Sequence, residues 1–389
     1  MVGIGAMKTI RTAIFGTGFM GRVHLDALRR IPGVEVAAIV GRQVESARRL
    51  GVGFGVEKFE SDSGRILADA SIDAVHICTP NAMHFPMAKD ALLAGKHVLC
   101  EKPLTTTVEE AEELVRLAEE RGLRNCVCHN LRYYPMVQQM RRMREHGDLG
   151  RVLVVRGTYS QDWLLYETDW NWRIDVAAGS AMRTMADVGS HWFDMTEHVT
   201  GLRVDSLCAD LKTFIPMRKK PKGSVETFAG KKSRPEDVEE VQIETEDYGA
   251  VLFHMGEQTR GSMTASQVSG GRKNYLSLEL YGTEGSVSWD QERPNELWIG
   301  HREGPNQILL KDPSSLDQQA ASYAELPCGH SEGYDDTFKQ VFRRFYASIL
   351  QPDGPVEYPQ MIDGLRQMQL LRAEMESHRK RGWVEVPRL

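Results

Sequence analysis

No stretch of this 389-residue chain is apolar for long enough to span a bilayer, and residues 1–11 contain no apolar core of signal-peptide length. The expectation is a cytoplasmic protein. A basic excess is also missing: 48 Lys and Arg against 54 Asp and Glu leave a formal charge of -6, which argues against nucleic acid as a partner. Cysteine is scarce, with six in all. Cys78 and Cys100 close apolar runs, and Cys126-Val-Cys128 lacks metal or redox spacing, so reduced, mostly buried thiols are expected. What is present, 41% hydrophobic and 26% charged residues over a length too great for one ordinary core, describes a water-soluble chain of two domains.

The most informative stretch is Leu99-Cys100-Glu101-Lys102-Pro103, where an apolar strand stops abruptly in a carboxylate, an amine and a proline. Open α/β sheets bind ligands at such strand ends. A lysine there, partly shielded and near a cofactor, is suited to proton transfer; the alternative is a surface-loop lysine.

The first element in chain order is an apolar strand at residues 9–15, followed by Gly16-Thr17-Gly18-Phe19-Met20-Gly21 and an amphipathic helix to Arg30. Strand, glycine turn and helix come in the order a dinucleotide site needs, because glycines allow the tight turn and let a pyrophosphate approach the helix N-terminus. Residues 34–40 read as the next parallel strand and complete a βαβ unit. Its end lacks one thing. Where an NAD enzyme usually places a carboxylate for the adenine ribose, this chain has Gly41-Arg42, and Arg42 is suited to pairing with a 2′-phosphate, to stacking on adenine, or to plain exposure at the head of a helix. The cofactor is expected to be NAD or NADP.

The alternation continues with a strand at 71–78 ending in Thr79-Pro80-Asn81, a helix at 82–94, a strand at 97–100, a Glu-rich helix at 108–121 and a strand at 124–128. The Thr-Pro-Asn and Glu-Lys-Pro turns are therefore expected side by side at the carboxyl edge of one sheet.

The glycine turn, Thr79-Pro80-Asn81 with His84, and Glu101-Lys102-Pro103 together resemble the glucose-fructose oxidoreductase, inositol dehydrogenase and MocA (Gfo/Idh/MocA) family of NAD(P)-dependent sugar oxidoreductases. The resemblance covers nearly the whole chain. It implies a Rossmann domain, placed at residues 8–130, and an α+β domain on an open-faced, mostly antiparallel sheet, placed at 131–389 and carrying the substrate site. It further implies a homodimer or homotetramer formed through that sheet. Asp187-Val-Gly-Ser-His191 matches the family's catalytic Asp and His, and Cys128-His-Asn130-Leu-Arg132 resembles its crossover into the substrate domain.

The residues themselves support part of this. Helical periodicity over 186–199 places Asp187 and His191 on one face, where a carboxylate can orient an imidazole; a terminal Asp cap with an unrelated His is the alternative. Asp194 and His198 extend the face, yet a straight stripe cannot wrap an ion, so no metal is expected. Asn130 and Arg132 either face substrate or bridge the domains. The tryptophan-rich stretch around Trp163, Trp170, Trp172 and Arg173 offers faces on which a sugar stacks and groups that hydrogen-bond its hydroxyls; a loop packed by its own aromatics is the other reading. Arg173 is the member expected to reach the substrate. Residues 212–240, with Arg218-Lys-Lys-Pro-Lys222 and Lys231-Lys-Ser-Arg234, read as a basic insertion, a lid or a solvated loop. His330 either adds a polar group to the site or caps a helix at 335–350, and a second helix is expected at 359–380.

The expected activity is hydride transfer between a secondary hydroxyl of a pyranoside, sugar or cyclitol and the nicotinamide, with Lys102 and His191 sharing the alkoxide-holding and base roles. A redox-neutral glycosidase or epimerase that keeps its NAD, and a non-catalytic dinucleotide or sugar sensor, are the alternatives. The intact set of Lys102, Asp187 and His191 argues against the sensor.

Overall fold

The computed structural model describes residues 9–222 and 238–388. They form two compact units. One runs to Asn130 and takes in Asp335–Met368; the other comprises Leu131–Tyr334 and the residues from Gln369 onward. A second domain made of all of 131–389, as the sequence suggested, therefore misplaces Asp335–Met368. Among the described residues no helix is long and apolar enough to cross a membrane.

In the first unit, β1 (Ile10–Phe15), β2 (Val34–Val40), β3 (Lys58–Glu60), β4 (Ala74–Ile77), β5 (His97–Cys100) and β6 (Asn125–Val127) form one sheet in the order β3-β2-β1-β4-β5-β6, all pairs parallel. Its central strands are apolar almost without alternation because both faces are covered: Ala13, Ile14, Phe15, Val75, Ile77, Val98 and Leu99 are fully buried. Strand order reverses between β1 and β4, so a crevice opens at their carboxyl ends. Local chemistry sets the helix bounds. In helix Val108–Arg121, Thr107 and Glu110 form a capping box and Gly122 closes the far end at φ 61°.

The late segment joins this unit for a physical reason. Helix Tyr334–Leu350 buries Phe338, Val341, Phe342 and Phe345, and Tyr346 lies 2.7 Å from His76 of β4. Farther on, the Val127 amide donates to the Pro359 carbonyl at 3.0 Å and the Met361 amide to Asn125 Oδ1 at 2.7 Å, which covers the edge strand β6.

The second unit is built on nine strands: in spatial order Gln307–Leu310, Glu296–Gly300, Ser286–Asp290, Tyr275–Gly282, Val152–Ser160, Thr259–Ser266, Tyr248–Met255, Ser206–Lys212 and Val384–Glu385. Only the pair formed by Val152–Ser160 and Thr259–Ser266 is parallel, so the sheet is mostly antiparallel. Helix Ser190–Thr200 packs on it through Trp192, whose indole N–H donates to the Ser277 carbonyl at 2.8 Å. Gly157 makes that approach possible, since a Cβ there would lie 2.0 Å from the same carbonyl and 2.7 Å from the indole nitrogen.

The expected basic insertion is only partly a solvated loop. Met217–Pro221 and Val238–Gln242 pair as an antiparallel ribbon, while Lys231, Lys232 and Arg234 lie outside the described residues. Arg218, read as part of a charged loop, is fully buried. Its guanidinium donates to Asp247 Oδ1 at 2.8 Å and to the Leu164 carbonyl at 2.9 Å, and Arg183 pairs with the same carboxylate oxygen. Asp247 Oδ2 accepts from the Phe214 and Ile215 amides at 2.7 and 2.9 Å. The arginines and these amides hold the Asp247 carboxyl below its usual range against the opposing effect of burial. Removing one partner of such a group leaves buried charge uncompensated. Asp247→Ala is expected to destabilise the second unit by about 3–5 kcal/mol, read as a lowered denaturation midpoint, whereas Lys219→Ala on the exposed side of the ribbon should leave the midpoint unmoved.

Candidate active site

The glycine turn fits a pyrophosphate residue by residue. Gly16 has φ +114°, and a Cβ on it would fall 2.5 Å from the Cys78 carbonyl oxygen, so the turn tolerates no side chain there. Gly21 packs its bare Cα against the Gly16 carbonyl, where a Cβ would lie at 2.2 Å. Gly18 differs, with nothing within 4 Å of its Cβ position, as expected of the glycine over which a ligand passes. Gly18 caps helix Phe19–Leu28 with no side-chain hydrogen bond at the cap, at a helix N-terminus of the kind that receives a dinucleotide phosphate. Thr17 and exposed Phe19 flank this space, and Met20 is the second residue of the helix.

At the end of β2 the missing carboxylate has a steric counterpart. A Cβ on Gly41 would meet Ser46 Oγ at 2.6 Å and Thr17 Cγ2 at 2.8 Å, so an acid at 41 requires a shift of short, packed side chains. Arg42 is exposed next to it.

The two turns expected side by side are joined by one imidazole. His84 is buried, with Nδ1 2.7 Å from the Pro103 carbonyl and Nε2 2.9 Å from the Thr79 carbonyl. It thus ties Thr79-Pro80-Asn81 to Glu101-Lys102-Pro103; Asn81 is buried, Thr79 and Lys102 are half-buried, and Pro80 is exposed. Burial lowers the His84 pKa against the pull of the two carbonyls, so the ring is neutral and donates to one carbonyl at a time. The sequence places His84 among the cofactor contacts; in the structure it clamps the two turns together. Lys102 precedes a cis peptide to Pro103.

In the second unit, Asp187 and His191 are not on one uninterrupted α-helix as the periodicity predicted. Met185–Gly189 is a π-helical turn that passes into α-helix Ser190–Thr200, a widening frequent at functional sites. The Asp187 carboxylate is engaged from elsewhere: Oδ1 accepts from Arg173 Nε at 3.1 Å and Oδ2 from Gln267 Nε2 at 2.8 Å. Gln267 Oε1 also accepts from Thr184 Oγ1 at 3.2 Å, and Glu246 accepts the Arg183 and Met185 amides, so the start of the π turn is fastened by buried groups. His191 is 7% exposed, with its ring 6.5 Å from that of Tyr159. Gln267 and Tyr159 carry no signal in the sequence, since each is one polar residue in a strand or just beyond it.

Several expected substrate residues have structural partners. Arg173, expected to reach substrate, ion-pairs with Asp187 and lies over the Trp172 ring at 4.5 Å. Arg132 is buried and forms a two-point pair with Asp194, at 2.6 and 2.5 Å. That pair removes Asp194 from the imagined ligand stripe, and His198 lies 3.1 Å from Gln138 Nε2 and 3.4 Å from Arg141, its pKa pushed well down by burial and by Arg132, Arg141 and Arg144. Asn130 donates to Thr337 Oγ1 at 2.7 Å, within the first unit. Trp163 packs against Leu164, Ile174 and Ile243 and donates to Gln161 Oε1 at 2.7 Å, which is the reading of a loop packed by its aromatics. His330 is exposed, its Nδ1 3.3 Å from the Cys328 carbonyl, while its own carbonyl accepts from buried Lys311.

A phosphate-ready glycine turn at the switch of a six-stranded parallel sheet, with a lysine at a neighbouring strand end, defines a Rossmann-type nicotinamide oxidoreductase. The chain belongs to the Gfo/Idh/MocA family. Residues 10–129 match the model of the oxidoreductase family, NAD-binding Rossmann fold, and residues 137–288 that of the GFO/IDH/MocA C-terminal domain. It is 28% identical to levoglucosan dehydrogenase of Pseudarthrobacter phenanthrenivorans over 98% of this chain and 100% of that one. D-xylose dehydrogenase of Paenarthrobacter nicotinovorans is 26% identical, covering 90% and 87%. A solved levoglucosan dehydrogenase in complex with NADH and L-sorbose superposes with a TM-score of 0.88 at 27% identity, covering 98% of this chain and 100% of that one. The protein is therefore an NAD(P)-dependent enzyme of the sugar and cyclitol dehydrogenase family.

The open space at Gly18 yields a direct test. Gly18→Ala leaves the melting temperature unchanged, because the new methyl meets no protein atom, but weakens NAD(P) binding by about tenfold or more, measured by nucleotide fluorescence titration.

Proposed function

We propose that this enzyme oxidises a ring hydroxyl of a pyranoside, with NAD or NADP as acceptor. The observation that carries the reading is the His84 clamp, which holds half-buried Lys102 beside the Thr79-Pro80-Asn81 turn at the carboxyl edge of the nucleotide sheet. When bound, the nicotinamide supplies the hydride acceptor, and the chain's own groups handle the proton and the oxygen. Gly16 to Gly21, Gly41 and Arg42 hold the dinucleotide. Lys102 holds and polarises the hydroxyl oxygen as negative charge develops on it. His191 takes the hydroxyl proton, and the Asp187–Arg173–Gln267 group fixes the π turn that leads into the helix carrying that imidazole. Trp172, half-buried beneath Arg173, offers an aromatic face for a sugar ring, which favours a glycoside over a small aldehyde.

The purified protein, stripped of nucleotide and the released nucleotide identified, is assayed with NAD and NADP against glycosides, free sugars and inositols. Steady nicotinamide reduction with a pyranoside is the expected result. Sugar cleavage or epimerisation without net reduction overturns it. Lys102→Ala should lower kcat by about 10²- to 10⁴-fold while the dinucleotide Kd changes little; loss of nucleotide binding instead makes Lys102 a structural residue.

We also infer a homo-oligomer joined through the nine-stranded sheet, supported by exposed Leu153, Leu252, Ile308 and Leu310 on its strands. Sedimentation equilibrium is expected to give a dimer or tetramer, and the double variant Leu252→Glu, Ile308→Glu a monomer. A wild-type monomer rules the interface out.

A further inference from the structure

The end of β2 differs from an NAD site by more than a missing acid. Gly41 is held on the sheet: its amide donates at 3.0 Å to the Glu60 carbonyl at the end of β3, and the preceding Val40 carbonyl accepts the Gly16 amide at 2.8 Å. The backbone there is not free to withdraw. A side chain at 41 would therefore meet Ser46 Oγ at 2.6 Å, Thr17 Cγ2 at 2.8 Å and the Gln43 carbonyl at 3.1 Å, and only those groups could relieve the contact. Ser46 is itself tied, because its hydroxyl donates to the Gln43 carbonyl at 2.6 Å in the first turn of helix Val44–Gly51, and Ala47 beside it is fully buried. Packing thus closes position 41 to aspartate and glutamate.

Next to this closed position stands an uncommitted cation. Arg42 is exposed and, among the described residues, makes no hydrogen bond or ion pair. Other arginines of the same elements are engaged. Arg22 pairs with Asp26 at 2.9 Å and lies over the Phe54 ring at 4.5 Å, Arg48 lies over the Phe59 ring at 5.4 Å, and Arg65 pairs with Glu60 at 3.5 Å. The acids of this edge offer little opposition. Glu60 has Arg65 as its counter-ion, and Glu45, exposed in the first turn of helix Val44–Gly51, is screened by water.

A Rossmann fold lays the adenine ribose of its dinucleotide at the end of the second strand. A carboxylate there accepts the ribose hydroxyls of NAD and repels a 2′-phosphate; without one, NAD loses an anchor and NADP loses an obstacle. A phosphate monoester carries roughly −1.5 to −2 charges near pH 7, and a guanidinium meets it with two parallel N–H donors. Arg42 has no existing pair to break before doing so. A guanidinium laid only on the adenine face would hold both nucleotides equally and would give no use to the closed position beside it. We propose that the first unit selects NADP over NAD, with Arg42 as the residue that binds the 2′-phosphate and Gly41 as the residue that keeps a competing acid out.

The selection rests on the dinucleotide site of the proposed function but not on its sugar, so binding is measured with no sugar present. Full-length protein stripped of nucleotide is titrated with NADPH and with NADH, following nicotinamide fluorescence. The Kd for NADPH is expected to be lower by about tenfold or more, and adenosine 2′,5′-bisphosphate is expected to displace either nucleotide better than ADP by a similar factor. Raising the salt from about 0.05 to about 0.5 M should narrow the gap, because an exposed ion pair is screened. Arg42→Ala, at an exposed position, is expected to keep its melting temperature, to raise the NADPH Kd by about tenfold or more and to change the NADH Kd by less than about twofold. A wild-type protein that binds NADH as tightly as NADPH overturns the inference. Equal weakening of both nucleotides in Arg42→Ala also overturns it and assigns the guanidinium to the adenine face. If NADPH is preferred but no pyranoside is oxidised, the reading of the reaction falls and the nucleotide selection stands.

Discussion

The ends of β1 and β4 approach each other so closely that the Cys78 carbonyl oxygen lies 2.5 Å from where a Cβ on Gly16 would be. That contact depends on a residue without a side chain, and much of the first unit depends on the contact. It turns the chain sharply enough for helix Phe19–Leu28 to start directly after the strand, and it sets Thr79 beside the turn that a dinucleotide occupies. His24 rides on the same helix, one turn in, and so is carried down onto His76 and Glu101. A nucleotide cradle on the surface and a polar row in the interior are two consequences of one close approach.

The second unit solves a different problem, that of keeping polar groups in place beneath a sheet. Arg183, Arg218, Glu246, Asp247 and Gln267 are all buried at the point where the chain enters the π turn carrying Asp187. Burying them is costly, and only reciprocal bonding makes it tolerable. Glu246 accepts the Arg183 and Met185 amides at the start of the turn, and Asp247 binds Arg183 and Arg218 together. Gln267 ties Thr184, just before the turn, to Asp187 at its middle. A widened turn held this firmly aims side chains where an ordinary helix would not.

The parallel strands, the glycine turn and the helix at Val108–Arg121 were legible in the sequence because their causes are local: apolar runs, glycines at set spacing, and a Thr-Glu capping box. Arg218 was misread because a buried arginine and a solvated one look alike without their partners, and Asp247 lies far along the chain. The same holds for Arg132 and Asp194, for Arg173 and Asp187, and for the tryptophan loop, where Trp163 packs inward and Trp172 lies against an arginine. The π turn at Met185–Gly189 escaped notice because it alters the helical period over a single turn.

The sequence by itself determined the class of fold, the dinucleotide turn and the family, since each rests on residue types repeated at short, fixed separations. Only the tertiary structure decided which charged residues are paired, that Asp335–Met368 belongs with the nucleotide-binding unit, and that His24, His76, Glu101 and Tyr346 form one row. Those facts turn on contacts between segments as much as 270 residues apart. Hydrogen-bond geometry and burial, which settle the state of a polar side chain, exist only once such segments meet.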